Sequence, residues 1–307
     1  MTNSIQQNSA DWLVVGKGAI GLLSACRLQQ KGERVQLWLR QPAPLKVAFT
    51  ALEGSLQQHQ FAPWPKDKAA KLALIAVKAY DALDCIRQLQ PQLAEDASLI
   101  LSHNGLGTLA SIQAELKPKQ QLWFLTTTHG AYIKADKAAT RQVVHSGGGN
   151  SILAAIGPNA IHQEPDWQRA LAKALGPLQR VTDIQPFLWQ KLLINCLINP
   201  LTALHQVPNG ALASPRFAAE LDGLFNEFCL LAAAVGYPQD QAAAWQQLQQ
   251  VIQRTASNRS SMLQDRLAGR RTELAFITGF VLREAERCGL VLPKHQQLYQ
   301  QCQDAGF

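Results

Sequence analysis

Three polar side chains recur every four residues along the apolar stretch WQKLLINCLINP (189–200): Lys191, Asn195 and Asn199. Positions i, i+4 and i+8 fall on nearly one face of an α-helix. Around them Leu192, Leu193, Ile194, Leu197 and Ile198 are core residues by type. An unpaired buried amide costs a few kcal/mol, and an unpaired buried charge more. The stripe therefore faces either bulk water or something polar that the protein binds. A lysine ammonium facing a bound polar group can stabilise negative charge on it and donate a proton. Amides on the next turns orient polar groups of a ligand without adding charge.

A second set of residues suits phosphate. Gly16, Gly18 and Gly21, in GKGAIG, form G-x-G-x-x-G between a strand-like WLVV and a helical segment, the context that gives this pattern meaning. Gly16 permits the tight turn, Gly18 lets the backbone approach a pyrophosphate, and Gly21 permits close helix–strand packing. The helix N-terminus favours the anion. Arg40 closes the next strand, in LWLRQ, and no acid follows before Glu53. Enzymes that use NAD place Asp or Glu there for the ribose 2′-hydroxyl, whereas a planar, charged guanidinium fits a 2′-phosphate. The cofactor expected is NADP(H).

Lys78 and Asn104 each follow a strand, in LIAVKAYD and LSHNGLG. Ligands of such sheets sit beyond the carboxyl ends of strands, although Asn104-Gly105 is also a turn signal. His129, in TTTHGA, has no evident partner for acid–base work and reads as a hydrogen-bonded structural histidine. Asn258 and Ser261 stand at i, i+3 spacing in TASNRSSMLQD. Glu273 opens the apolar run of RRTELAFITGF, as a site carboxylate or as an acid favoured near a helix N-terminus.

The elements that must hold these residues fall into two groups. Strands are expected at 12–15, 34–39, 72–77, 98–102, 121–127, 142–146 and 151–157, with helices over 19–31, about 80–90 and 107–116. Strands alternating with helices give an α/β fold, a Rossmann-type doubly wound, mainly parallel sheet. Past residue 180 no strand is convincing, and 186–199, 215–236, 239–256 and 272–289 read as helices. The expected organisation is an NADP-binding domain over 1–180 and an all-α substrate and catalytic domain over 181–307.

With 307 residues, 47% hydrophobic and 17% charged, the chain is globular. The net charge of +7 is mostly dispersed, Arg266, Arg270 and Arg271 forming the one small cluster. That argues against the concentrated patch of a nucleic-acid binder and leaves two readings, an ordinary soluble basic protein or attraction for small anions. No apolar run approaches the ~20 residues of a membrane span, and the polar N-terminus lacks a signal core. The six cysteines include no C-x-x-C pair, and no H-x-x-x-H occurs, so no metal site is expected. They read as reduced thiols of a cytoplasmic protein.

From Gly16 to about Pro293 the chain resembles the ketopantoate reductase (2-dehydropantoate 2-reductase) family. The resemblance is carried by GKGAIG, LWLR, HNGLGT, TTTHGA, WQKLLINCLINPLTAL, PNG at 208–210, NRSSMLQD and RRTELAFITGF. Several of these lie outside the nucleotide-binding part, which makes the match far more specific than a shared Rossmann unit. The resemblance implies NADPH-dependent reduction of 2-dehydropantoate to pantoate, in a cleft between the two domains, with Lys191 as general acid. It implies substrate contacts from Asn104, Lys191, Asn195, Asn199, Asn209, Asn258 and Ser261. The cofactor would meet Gly16, Lys17, Gly18, Ala19, Ile20, Gly21, Arg40, Lys78, Asn104 and Ala131, with Glu273 ordering the catalytic site at the nicotinamide end. Two alternatives stand beside it: a reductase of another branched 2-keto acid, and a non-catalytic NADPH sensor. The expected partner is a small 2-keto acid, with neither nucleic acid nor membrane, acting on a monomer or homodimer.

Overall fold

The computed structural model describes residues 11–134, 140–158, 160 and 163–307. Contacts divide the chain into two compact units: residues to His103 with Thr108–Ile184, and Asn104–Gly107 with Gln185–Phe307.

The first unit opens with β1 (Asp11–Val15), whose last four residues are buried, and α1 (Ala19–Gln30). Gly32 follows α1 at φ +86°, the left-handed conformation that ends many helices. The seven-stranded sheet runs β11-β10-β7-β6-β5-β1-β2. Its strands are β2 (Arg34–Trp38), β5 (Ala70–Ile75), β6 (Leu93–Leu101), β7 (Gln121–Thr127), β10 (Ser151–Ile156) and β11 (Leu178–Arg180), with β1. Strands β2, β1, β5, β6 and β7 are parallel; β10 is antiparallel to β7, and β11 is parallel to β10. Helices α2 (Ala79–Leu89), α3 (Leu109–Gln113) and α4 (Trp167–Leu175) belong to this unit. Trp12, Leu22, Leu23, Leu74, Ile100, Trp123 and Leu171 belong to its fully buried core.

A second sheet, β4-β3-β9-β8, was not foreseen. It comprises β3 (Leu45–Thr50), β4 (Leu56–Phe61), β8 (Gly130–Ile133) and β9 (Arg141–Gly147). The run expected at 142–146 thus lies in this sheet and not in the main one. The sequence of β4, LQQHQF, has no strand-like alternation of apolar residues. Its pairing with β3, from Leu45 opposite Phe61 to Thr50 opposite Leu56, imposes the extended form.

The described part of the second unit holds α5 (Gln185–His205), α6 (Ala218–Ala234), α7 (Gln241–Arg254), α8 (Ser261–Leu267), α9 (Thr278–Arg287) and α10 (Pro293–Asp304). Helix α5 continues through Pro200, where the sequence suggests a stop. A proline inside a helix costs ~3 kcal/mol. Burial of Leu192, Leu193, Leu197 and Leu201 offsets it, at roughly 1.5–3 kcal/mol each. The Thr202 hydroxyl lies 2.7 Å from the carbonyl oxygen of Ile198, and Arg266 donates to the carbonyls of Ala203 and Leu204 at the helix end. The single helix expected over 272–289 is instead a 3-10 turn at Leu274–Phe276 followed by α9, broken at Ile277 (φ −105°, ψ −86°).

Candidate active site

The glycine turn is built for close approach. Gly16 has φ +100°, and a Cβ there would lie 2.7 Å from the Ala76 carbonyl oxygen. A Cβ on Gly21 would meet the Gly16 carbonyl oxygen at 2.8 Å. Gly18 differs: it is exposed, and a Cβ there would have only Ala76 O, at 4.0 Å, for a neighbour. Its lack of a side chain is therefore not demanded by packing; it leaves space for a ligand. Among the described residues no side chain caps α1, and no acid occupies its first turn, so the N–H groups around Ala19, Ile20 and Gly21 present positive charge outward. Lys17 is exposed beside them. These features fit a dinucleotide pyrophosphate.

Arg40, just beyond β2, forms an ion pair with Asp81 on α2 at 2.9 Å. Its side chain is 78% exposed, and an exposed pair of this kind is worth only ~0.2–1 kcal/mol. A pair this weak leaves the guanidinium able to exchange Asp81 for another anion. The pairing had no obvious signal beyond an acid in the first turn of α2. Lys78 stands half-buried at the start of α2. Ala131 lies in β8, which packs beside α1.

In the second unit α5 carries the polar stripe. Asn199 is buried, and Lys191 and Asn195 are half-buried. Burial pushes the Lys191 pKa down to about 8, and the carboxylate of Glu273 pulls it partly back up. Glu273 is 3% exposed, at the N-terminal edge of the 3-10 turn, where its carbonyl accepts from Phe276 and Ile277 N–H. A lysine held there remains a cation at neutral pH yet gives up its proton more readily than one in water.

The same helix is tied to the remaining candidates. Thr202 on α5 lies 2.7 Å from the hydroxyl of Ser260, which caps α8 by accepting from Leu263 N–H. Asn258 and Ser261 flank this buried capping residue and are themselves exposed. Asn209 N–H donates to Asn258 O at 2.9 Å, so the 208–213 turn and the 255–261 loop are bound together. The Thr255 hydroxyl gives its one proton to Val251 O at 2.6 Å, so at 2.9 Å it must accept from Asn209 Nδ2. That orients the Asn209 amide and leaves its buried Oδ1 without a partner among the described residues, an acceptor open to a ligand hydroxyl. Thr255 was missed in the sequence because it acts only through its neighbour.

Asn104-Gly105 is indeed a turn, with Gly105 at φ +77°. It is also pinned: Leu106 N–H donates to Phe276 O at 2.9 Å, and a Cβ on Gly105 would clash with Phe276. The Asn104 turn is thereby joined to the segment that carries Glu273. His129 is buried and hydrogen-bonded to His145 and Leu175, as a structural histidine should be. The described residues contain no cluster of metal ligands. All six cysteines are free, five of them buried. None of the described helices is long and apolar enough to cross a membrane.

A glycine turn at the carboxyl edge of a parallel sheet, and a lysine–amide stripe beside a buried carboxylate, define a dinucleotide-dependent oxidoreductase with a helical second unit. The family model "Ketopantoate reductase PanE/ApbA" matches residues 12–158, and its C-terminal counterpart matches 183–305. The chain belongs to the ketopantoate reductase family. It is 38% identical to the 2-dehydropantoate 2-reductase of Vibrio cholerae, over 94% of this chain and 95% of that protein. With the Salmonella typhimurium enzyme of the same name the identity is 33%, over 94% and 92%. A Ralstonia eutropha ketopantoate reductase of the PanE/ApbA family superposes with a TM-score of 0.81 at 21% identity, covering 96% of this chain and 97% of that one. D-mandelate dehydrogenase, solved with NADH and anilino(oxo)acetate, gives 0.84 at 19% identity over 96% and 97%. At such identities the two structures bear on the fold alone.

Proposed function

We propose that this protein reduces 2-dehydropantoate to pantoate with NADPH, a step towards pantothenate and coenzyme A. The observation that carries the reading is a half-buried lysine, its pKa lowered to about 8, on one helix face with Asn195 and Asn199. NADPH would supply the hydride; the protein supplies position, charge and a proton. Gly16, Lys17, Gly18 and the first turn of α1 hold the pyrophosphate, Arg40 the 2′-phosphate, and Lys78 and Ala131 flank the dinucleotide. The Lys191 ammonium points at the keto oxygen, stabilises the charge that develops there and transfers a proton from Nζ. Asn195, Asn199 and Asn209 orient the substrate hydroxyl and carboxylate, with Asn104, Asn258 and Ser261 completing the contacts. Glu273 keeps Lys191 cationic until the reaction needs its proton. A small anionic 2-keto acid is the only partner this chemistry requires. We place the enzyme in the cytoplasm, as a monomer or homodimer; a dimeric ketopantoate reductase is known from Staphylococcus aureus.

The test is NADPH oxidation with ketopantoate beside 2-ketoisovalerate and pyruvate. A strong preference for ketopantoate is expected. Comparable rates with all three would shift the reading to a general branched 2-keto acid reductase. NADPH binding without turnover of any would make the protein a sensor.

A further inference from the structure

Two buried histidines take no part in this reaction. His129, in the turn between β7 and β8, places Nδ1 3.1 Å from Nε2 of His145 on β9. Its own Nε2 lies 3.2 Å from the carbonyl oxygen of Leu175 at the end of α4. Nδ1 of His145 faces Nη1 of Arg27 on α1 at 3.4 Å. The Leu175 carbonyl can only accept, so Nε2 of His129 carries a proton. In the neutral ring Nδ1 is then an acceptor, and His145 must donate to it from Nε2. That leaves Nδ1 of His145 to accept from the Arg27 guanidinium, which can only donate. Every link therefore runs one way, from Arg27 through His145 and His129 to Leu175, and both ends are fixed.

A proton added to His129 would set its Nδ1–H against the Nε2–H of His145 across 3.1 Å, and one added to His145 would set its Nδ1–H against the Arg27 guanidinium across 3.4 Å. Burial holds both pKa values below the usual histidine value, and the Arg27 charge adds to the effect. Glu53, between β3 and β4, acts weakly the other way on His145, as do backbone groups of Leu175 and Gly176 on His129 and of Gly147 on His145.

The pair also sits at a functional edge. Strands β1, β5, β6 and β7 are parallel, so Gly16, Lys78, Ser102 and His129 follow them at one side of the sheet. The backbone at His129 is held firmly: its N–H lies 3.2 Å from Thr127 Oγ1, and Thr128 N–H donates to Asn150 O at 2.9 Å.

We infer that His129 and His145 form a proton-operated positioning element for the dinucleotide edge. Neutral, the pair ties the β7–β8 turn, β9, α1 and the end of α4 into one frame. Protonated, it releases that frame and weakens NADPH binding. The inference rests on NADPH binding at this edge, as proposed above.

The test is NADPH affinity by fluorescence titration from pH 8 to 5.5, in the wild type and in His145→Gln. The glutamine amide can still donate to His129 but takes up no proton in this range. Wild-type affinity should fall about threefold to tenfold more than that of the variant, within the tenfold per pH unit that one proton allows. The 2′-phosphate titrates alike in both measurements, so the difference belongs to the pair. Parallel curves would overturn the inference while leaving the nucleotide reading intact. Absence of NADPH binding at pH 7.5 would overturn both. Nitrogen-15 imidazole spectra of the wild type make the test independent of how the variant folds. Both rings should be Nε2-protonated, and saturating NADPH should lower their pKa, because linkage is reciprocal. An Nδ1-protonated ring, or pKa values unmoved by NADPH, would equally refute it.

Discussion

At the scale of single residues, the site depends on two charges held by carboxylates. If Lys191 acts through its proton, as proposed, kcat/KM should fall as pH rises through about 8, the value to which burial has brought it. The Glu273 carboxylate favours the ammonium, so Glu273→Gln should move that alkaline limb to lower pH. A limb that stays in place would remove Glu273 from the electrostatics of the lysine. Lys191→Ala should fold, since the leucines of α5 remain buried, and should still bind NADPH. Its single-turnover hydride transfer should slow by about 10²–10⁴, the usual range for a positioned acid. A rate within a few-fold of wild type would mean that another group delivers the proton. Arg40→Ala should weaken NADPH about tenfold or more and leave NADH nearly unchanged, as expected for a charge-assisted hydrogen bond worth ~1.5–3 kcal/mol. Asp81→Asn removes the carboxylate that holds Arg40 and should tighten NADPH binding about twofold to fivefold, the equivalent of an exposed ion pair. Weaker binding in that variant would show that Asp81 positions Arg40 and does not compete for it.

At the scale of elements, the three glycines of one turn do different work, and substitution separates them. An alanine Cβ at Gly16 meets a carbonyl oxygen at 2.7 Å in a backbone with φ +100°. Gly16→Ala should therefore cost ~1–3 kcal/mol of stability in addition to cofactor affinity. Gly18→Ala adds a methyl group in open space at φ −75°. It should melt within about 2 °C of wild type yet bind NADPH at least ~tenfold more weakly, a loss near 1.4 kcal/mol. Normal NADPH binding by Gly18→Ala would show that no phosphate approaches that backbone. Helix α5 makes a related point. Its apolar faces supply the stability that lets a third face carry Lys191, Asn195 and Asn199, and its C-terminal turns persist past Pro200 with the help of Thr202 and Arg266.

At the scale of the whole molecule, the groups proposed to hold phosphate fall in one unit and the lysine–amide stripe in the other. Hydride transfer needs both sets in order with the reacting atoms close and aligned. NADPH should therefore tighten ketopantoate binding, with a coupling of about 1–3 kcal/mol if typical. Titration calorimetry with and without the cofactor measures it directly. Equal substrate affinities in the two titrations would show that the units bind independently.

The sequence alone determined the residues with local, periodic signatures. The glycine spacing after WLVV marks the tight strand–helix turn because strand and helix flank it within one short segment. The four-residue recurrence of Lys191, Asn195 and Asn199 exposes itself because an apolar helix has no structural use for it. The absence of strands after residue 180 was legible for the same reason: helical periodicity is a short-range property. Only the tertiary structure decided what depends on partners remote in the chain. The strand character of LQQHQF comes from pairing with β3 and not from its own residues. The persistence of α5 beyond Pro200 comes in part from Arg266, more than sixty residues later. The orientation of the Asn209 amide comes from Thr255, the placement of Arg40 from Asp81, and the direction of the Arg27–His145–His129 chain from a carbonyl at Leu175. Propensity and spacing record what a residue does with its near neighbours in sequence. Which donor meets which acceptor across the fold is settled by long-range packing, and the chemistry of this site is tuned at that level.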